Sequence, residues 1–328
     1  MSETVKAIRI ESNGGPEVMQ WVDVEVSAPG PGEVLIRQEA VGLNYIDVYF
    51  RTGLYPQEMP GALGMEGAGV VEAVGEGVDL VAVGDRVAYA NRPLGAYAQK
   101  RVVPQEILVK LPDEISFEQA AGMMLQGLTV QYLVTDSYVV KPGDQVLLHA
   151  AAGGVGLIAV QWLKALGARV IGTVGSAEKA ALAKSYGCDE CIVYTEEDFV
   201  ARTRELTNGK GVNVVYDSIG KDTFDGSLDC LAPRGTMVSF GNATGPVEPL
   251  NIATLAAKGS LKVTRPTLFA YVTERPLLES MCEDLFSRVL GGEVKIEVNQ
   301  TYALADVAQA HTDLESRKTT GSTVLLPY

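Results

Sequence analysis

The sequence predicts an α/β protein of two domains, one β-rich and one built on a doubly wound parallel sheet. Three observations predict it. At 328 residues the chain exceeds the ~150 residues of a typical domain. Its first 125 residues are short alternating runs broken by Gly and Pro. From Gln145 the rhythm changes to strand, helix, strand.

The β-rich part runs in order. Val5 to Ile10 alternates, and so does Trp21 to Val26, ahead of Pro29-Gly30-Pro31-Gly32. Glu33 to Gln38 follows, with Val34 and Ile36 on one face, then Gly69 to Val74 and Asp85 to Ala90. Frequent turns between short strands predict a partly barrel-like domain. Ser116, with Gln119 three residues on, predicts a capping box at a helix start.

The second part alternates. Strands are expected at Gln145–Ala150, Arg169–Val174, Cys191–Tyr194, Val212–Asp217, Thr236–Phe240 and Ser260–Thr264. Helices are expected at Val155–Leu166, ending at Gly167, and Glu178–Tyr186, ending at Gly187. Strands joined by helical crossovers make a parallel, doubly wound sheet. Beyond Pro266 the pattern predicts helices over Leu277–Leu290 and Leu304–Ser316 and a last strand, Ser322–Leu326.

Charge and composition exclude several classes. Lys and Arg number 27 against 41 Asp and Glu, a net charge of −14. Nucleic acids and anionic membranes need clustered positive charge, so neither is an expected partner. Positions 145–163 carry no formal charge, but Gly153, Gly154 and Gly156 interrupt them, so they read as strand, turn and helix rather than a membrane span. Two His (His149, His311) and four Cys (Cys188, Cys191, Cys230, Cys282) are too few and too scattered for a metal lobe, and suit a reducing cytoplasm. Cys188-Asp-Glu-Cys191 has redox spacing but stands beside a strand, so it reads as neither redox nor metal site. His149 reads as structural and His311 as solvent-facing on a polar helix.

The turn after the first strand of the second part, Ala151-Ala152-Gly153-Gly154-Val155-Gly156, is the dinucleotide fingerprint with Ala at its first glycine. Gly153 lets backbone approach a pyrophosphate, Gly156 lets helix pack on strand, and the helix N-terminus offers free N–H groups. The next strand ends in Thr173-Val174-Gly175-Ser176, without the carboxylate that holds the ribose hydroxyls of NAD. Lys179 and Tyr194 stand nearby, which favours a 2′-phosphate and hence NADPH. Glu178 is the dissenting charge.

The run Gly143-Asp144-x-x-Leu147-x-x-x-Ala151-Ala152-Gly153-Gly154-x-Gly156-x-x-x-x-Gln161-x-x-Lys164 resembles the signature of quinone oxidoreductases of the ζ-crystallin type, in the zinc-independent medium-chain dehydrogenase/reductase superfamily. Asn44-Tyr45-Ile46-Asp47 with Gly53-Leu54-Tyr55, Gly64-Met65-Glu66-Gly67-Ala68-Gly69, Tyr216-Asp217-Ser218-x-Gly220, Phe240-Gly241-Asn242, Thr264-Arg265-Pro266 and Glu315-Ser316-Arg317 resemble further segments of the family. The resemblance covers essentially the whole chain. Met65 stands where zinc-dependent relatives carry a histidine ligand, so no catalytic metal is expected. Gln126 stands where some relatives carry a lysine.

The resemblance implies a GroES-like catalytic domain (residues 1–125 and 267–328) interrupted by a Rossmann NADPH-binding domain (126–266). It implies that Gly153, Gly154, Val155 and Gly156 hold the pyrophosphate. Gly175, Ser176, Lys179 and Tyr194 would take the 2′-phosphate end. Ser218, Phe240 and Gly241 would line the cofactor, with Thr129, Arg265 and Arg317 reaching it from an interdomain cleft. Asn44 and Tyr55 would face a quinone there as hydrogen-bond donors. Read from the residues alone, Asn44 could instead cap a helix opening at Tyr45, and Tyr55 could be a packed loop aromatic. Asp47 reads as structural. The implied activity is NADPH:quinone oxidoreduction by a cytoplasmic homodimer. Reduction of an enone or enoyl double bond is the alternative, and a non-enzymatic NADPH-binding structural or RNA-associating protein a second one. One-electron and two-electron transfer stay open.

Overall fold

Alternation at the start of the chain builds an antiparallel pair, β1 (Glu3–Ile10) and β2 (Gln20–Val26), with Val5 opposite Val24 and Ile8 opposite Trp21. The computed structural model describes residues 2–328, in two compact units. One unit comprises the chain up to Leu128, Val272–Leu290 and Ile296–Tyr328; the other comprises Thr129–Tyr271 and Gly291–Lys295.

In the first unit β3 (Glu33–Leu43) is longer than the alternation suggests. Alternate residues are buried as far as Gln38, but positions 40–43 are buried on both faces, so the period-two signal fades there. The strand continues regardless, with register irregularities at Leu35/Ile36 and Gln38/Ala40. Then come β4 (Gly61–Ala62), β5 (Glu66–Val74), β6 (Arg86–Ala90), β7 (Lys100–Pro104) and β8 (Val109–Lys110). The capping box at Ser116 forms as expected: Gln119 N–H donates to the Ser116 hydroxyl and Ser116 N–H to Gln119 Oε1, both at 3.1 Å.

The second unit holds β9 (Gln145–Leu148), β10 (Arg169–Val174), β11 (Glu190–Val193), β12 (Val212–Asp217), β13 (Leu231–Ser239) and β14 (Lys262–Thr264). They form one parallel sheet in the order β11-β10-β9-β12-β13-β14, which is doubly wound with its reversal between β9 and β12. Leu147, Ile171, Ile192, Val215 and Met237 pack with Phe224 and Leu228 in its core. The sixth strand begins at Lys262 rather than Ser260, because Ser260 has left-handed backbone (φ 58°) that no strand accommodates.

The chain then returns to the first unit with β15 (Val298–Ala303) and β16 (Ser322–Leu326). β16 pairs antiparallel with β3 and parallel with β15, giving a sheet in the order β15-β16-β3-β5-β6-β8 with β7 also on β3. The C-terminal strand thus completes a sheet begun by the N-terminal segment. The chain is α/β, a GroES-like β-rich unit and a Rossmann-like parallel sheet. Leu304–Ser316 is a tight turn (Leu304–Asp306) followed by a helix, Val307–Glu315. Among the described residues no helix is long and apolar enough to cross a membrane.

Candidate active site

In the parallel-sheet unit, every strand delivers an expected contact residue just past its carboxyl end. The glycine turn follows β9, Gly175 and Ser176 follow β10, and Tyr194 follows β11. Ser218 follows β12, Phe240 and Gly241 follow β13, and Arg265 follows β14. Ligands of open parallel sheets bind at these ends, next to the strand-order reversal. Thr129 is apart from this row, buried on the helix Met124–Tyr132.

The turn after β9 is shaped by close approach. Ala150 adopts left-handed backbone (φ 54°). A Cβ on Gly156 would collide with the Ala150 carbonyl oxygen and lie 2.7 Å from the Ala151 carbonyl carbon, so only glycine lets the helix Gly154–Ala165 sit there. Gly153 precedes that helix and no side chain caps it. The first intrahelical bond of the turn is Leu157 N–H to Gly153 O (2.9 Å). The N–H groups of Gly154, Val155 and Gly156 therefore point out of the helix start, an arrangement that fits a pyrophosphate.

Past β10, Ser176 caps the helix Ala177–Ser185 by accepting from Lys179 N–H (3.3 Å). A Cβ on Gly175 would lie 3.0 Å from the Tyr194 hydroxyl, so the phenol stands directly over that glycine. Gly175, Ser176, Lys179 and Tyr194 come together here. Glu178 is exposed, and its carboxyl is held below its ordinary range by its own backbone N–H and by the Ser176 hydroxyl. At β13 a Cβ on Gly241 would meet the Ser218 backbone, its Cα at 2.8 Å, which brings those two strand ends into contact. With its amide turned to satisfy both ends, Asn242 accepts from Arg265 Nη2 at 3.2 Å.

His149 holds three of these ends in register, a structural role as expected. Asp217 Oδ2 accepts from the Thr223 (2.7 Å) and Ser227 (3.1 Å) hydroxyls. The Ser227 proton is thereby committed, so its oxygen accepts from His149 Nε2–H (2.9 Å), and His149 Nδ1 accepts from Thr173 (2.9 Å). Burial pushes His149 below its ordinary value, keeping it neutral.

In the β-rich unit, Asn44 caps the helix Tyr45–Thr52 in a capping box with Asp47. Its side chain is also engaged: Nδ2 donates to Glu66 Oε2 (2.6 Å) and Oδ1 accepts from Gln126 Nε2 (3.3 Å). Tyr55 packs edge-on against Tyr49 and Phe50, with centroids 5.2 and 5.6 Å apart. Arg317 is exposed past the end of the helix Val307–Glu315, in left-handed backbone (φ 60°).

Two carboxyls behind Asn44 have unusual proton affinity. Burial pushes Glu66 up to about 8, offset in part by hydrogen bonds from Asn44 and Leu125. Burial pushes Asp47 up to about 7 against hydrogen bonds from Asn44, Tyr97 and Gly64. Gly42 makes the space for Glu66, since a Cβ there would meet its carboxylate.

His311 corrects an expectation. It is fully buried, not solvent-facing. Val307, Ala310 and His311 form the buried face of their helix, a spacing of i, i+3, i+4 that the sequence does contain. Its partner is Arg51, buried on another helix, whose Nη1 lies 2.8 Å from His311 Nδ1 while Nη2 donates to both Glu315 oxygens at 2.8 Å. Arginine only donates, so Nδ1 accepts and Nε2 carries the proton. Nε2–H donates to Tyr97 (3.1 Å), and the Tyr97 hydroxyl donates to Asp47 Oδ2 (2.9 Å). Arg51, Tyr97 and His311 thus fix Asp47, and with it Asn44. Isolated polar residues far apart in sequence gave no signal of this chain of bonds.

Known proteins resemble this chain along most of its length. The family described as "Alcohol dehydrogenase GroES-like domain" matches residues 30–113, and "Zinc-binding dehydrogenase" matches residues 154–280. Among the described residues, though, no group of three or more His, Cys, Asp or Glu could hold a metal ion. The chain is 55% identical over 323 residues to a quinone oxidoreductase of Pseudomonas aeruginosa, covering 98% of this chain and 99% of that one. It is 46% identical over 330 residues to a 2-haloacrylate reductase of Burkholderia sp, covering 98% and 99%. A crystal structure of Escherichia coli quinone oxidoreductase complexed with NADPH superposes with a TM-score of 0.96 at 50% identity, covering 98% of this chain and all of that one.

Proposed function

The chain belongs to the quinone oxidoreductases of the medium-chain dehydrogenase/reductase superfamily, and from that membership we propose that it reduces quinones with NADPH. The observation that carries the reading is the row of contact residues at the carboxyl ends of all six parallel strands. The free N–H groups at the start of the helix Gly154–Ala165 would hold the pyrophosphate, where Gly153 and Gly156 keep the backbone bare. Gly175, Ser176, Lys179 and Tyr194 would hold the 2′-phosphate end. Ser218, Phe240, Gly241, Arg265, Thr129 and Arg317 would line the rest of the cofactor.

NADPH supplies the reducing equivalents. The protein's task is to place donors where the quinone oxygens become negative. Asn44 and Tyr55 serve that role, with Glu66 and Asp47 holding Asn44 in place. The E. coli relative's complex with NADPH supports the cofactor. Homodimerisation and residence in the cytoplasm belong to the same reading, the first to be checked by sedimentation.

A second reading, reduction of an activated carbon–carbon double bond, is favoured by the identity to the 2-haloacrylate reductase. A substrate panel separates the two, run with a metal chelator present. NADPH oxidation should be fast with 1,4-benzoquinone or 1,4-naphthoquinone and slow with 2-haloacrylate and 2-alkenals. The reverse ranking supports the second reading, and NADPH binding without any turnover supports a non-enzymatic role. The cofactor arm compares kcat/KM with NADPH and NADH before and after Lys179→Ala. The preference for NADPH should fall at least tenfold, the loss of about 1.4 kcal/mol of binding to the extra phosphate. A wild-type preference for NADH would remove the basis for NADPH.

A further inference from the structure

Cys188 and Cys191 have a geometry that their sequence context did not suggest. Cys188 is buried just before β11, its thiol 3.0 Å from Glu190 O and 3.6 Å from Val170 O. Gly172 makes the room, because a Cβ there would lie 2.9 Å from Cys188 Sγ. Cys191 is on β11, paired with Gly172, and partly exposed, its thiol 3.6 Å from Ala180 O. Both cysteines thus stand against Gly172, Cys188 by its sulfur and Cys191 by strand pairing. Ala180 directly follows Lys179, and Cys191 stands three residues before Tyr194.

From this arrangement we propose that Cys188 and Cys191 are a redox modification site: a hydroperoxide converts them to an intrachain disulfide that weakens nucleotide binding at the Lys179–Tyr194 end. Cys191 is the attacking group, being the more exposed. The neighbouring Cys188 thiol and, more weakly, the Lys184 charge hold its thiol below the ordinary range, against burial and the Glu190 carboxylate. Its thiolate takes an oxygen from the hydroperoxide, forming a sulfenic acid and releasing an alcohol or water. The Cys188 thiol then attacks the Cys191 sulfur, and water leaves. Two thiols and one hydroperoxide give one disulfide, one alcohol and one water, a two-electron oxidation of sulfur. Closing the sulfurs to the ~2.05 Å of a disulfide draws Cys191 away from the Ala180 carbonyl. The helix carrying Lys179 and the strand leading to Tyr194 then shift relative to each other. Cys230 and Cys282 are both buried, and burial pushes both up to about 12, so they stay reduced.

The test treats the full-length protein with tert-butyl hydroperoxide, then maps peptides by mass and measures the KM for NADPH. The peptides bearing the two cysteines should lose two hydrogens together, with Cys230 and Cys282 still alkylatable after denaturation. KM should rise several-fold and return with dithiothreitol. Cys191→Ser and Cys188→Ser should each abolish both changes while keeping the untreated KM; Cys191→Ser serves should the buried Cys188→Ser fail to fold. Oxygen accumulating on Cys191 with Cys188 free, no reaction at the pair, or a KM rise that persists in the variants overturns the proposal. The KM arm rests on the NADPH reading. Turnover of the untreated protein tests that reading by itself, and peptide mapping does not depend on it.

Discussion

A methyl group added at Gly156 would drive into the Ala150 carbonyl. The helix cannot back away without losing its packing on β10, so Gly156→Ala should lower stability by about 1–3 kcal/mol, as overpacking does. It should also raise the KM for NADPH, because the N–H groups of residues 154–156 move with the helix. Gly153→Ala meets only one atom of the protein, at 3.3 Å. It should leave the melting temperature nearly unchanged while still raising KM, and equal melting temperatures for the two variants would contradict this assignment. Both glycines were legible from their spacing. Glu66 and Asp47 were legible only as letters in a motif, because their proton affinity depends on burial that no local pattern encodes. Asp47 at about 7 and Glu66 at about 8 both lie above their unfolded values of 3.8 and 4.5. The folded state therefore binds more protons than the unfolded one across that interval. The stability they contribute is fully present below about pH 4 and lost as pH rises through about 8. The wild-type melting temperature should slope downward between about pH 5 and pH 9; Glu66→Gln should make that slope shallower and leave the part below about pH 7 that Asp47 contributes, as thermal melts across buffers would show.

Helices and strands were most legible where one face alone is buried. β1 and β2 were found from their alternation. The end of β3 is buried on both faces, and β15 carries Asn299, Gln300 and Thr301 without an apolar rhythm, so neither was marked. The junction of the helices Tyr45–Thr52 and Val307–Glu315 is another case, since polar contacts join it. Arg51 and Glu315 join them through a bidentate pair, with the arginine side chain only 1% exposed. Removing one partner of a buried pair strands the other, at a cost of about 3–5 kcal/mol. Glu315→Gln leaves the Arg51 charge buried without its carboxylate and should therefore lower the melting temperature by several degrees. Arg51→Met leaves only Glu315, whose side chain is 32% exposed and can turn to water, so its electrostatic cost should be smaller. It should still slow quinone turnover, because His311, Tyr97 and Asp47 lose the donor that orders them. Calorimetry of the two variants decides between this account and one in which the junction is held by apolar contacts alone.

The whole molecule joins a strongly acidic surface to a cofactor that is itself an anion. The net charge of −14 is spread over the chain, whereas the cations we propose for the nucleotide, Lys179, Arg265 and Arg317, are few and specific. The two act over different ranges. Repulsion from the distributed charge reaches an approaching anion well before contact and is screened beyond the ~10 Å Debye length of 0.1 M salt. Attraction by the few cations acts at contact, where salt screens it less. Raising ionic strength from about 0.01 to 0.1 M, where the Debye length shortens from ~30 to ~10 Å, should therefore increase the association rate of NADPH in stopped-flow fluorescence. The dissociation rate should rise less over that range. A steering patch of positive charge around the site would produce the opposite trend, association slowing with salt, because screening would then remove attraction. Lys179→Ala sharpens the comparison. If Lys179 holds the phosphate only at contact, its loss should fall mainly on the dissociation rate and leave the salt dependence of association close to that of the wild type.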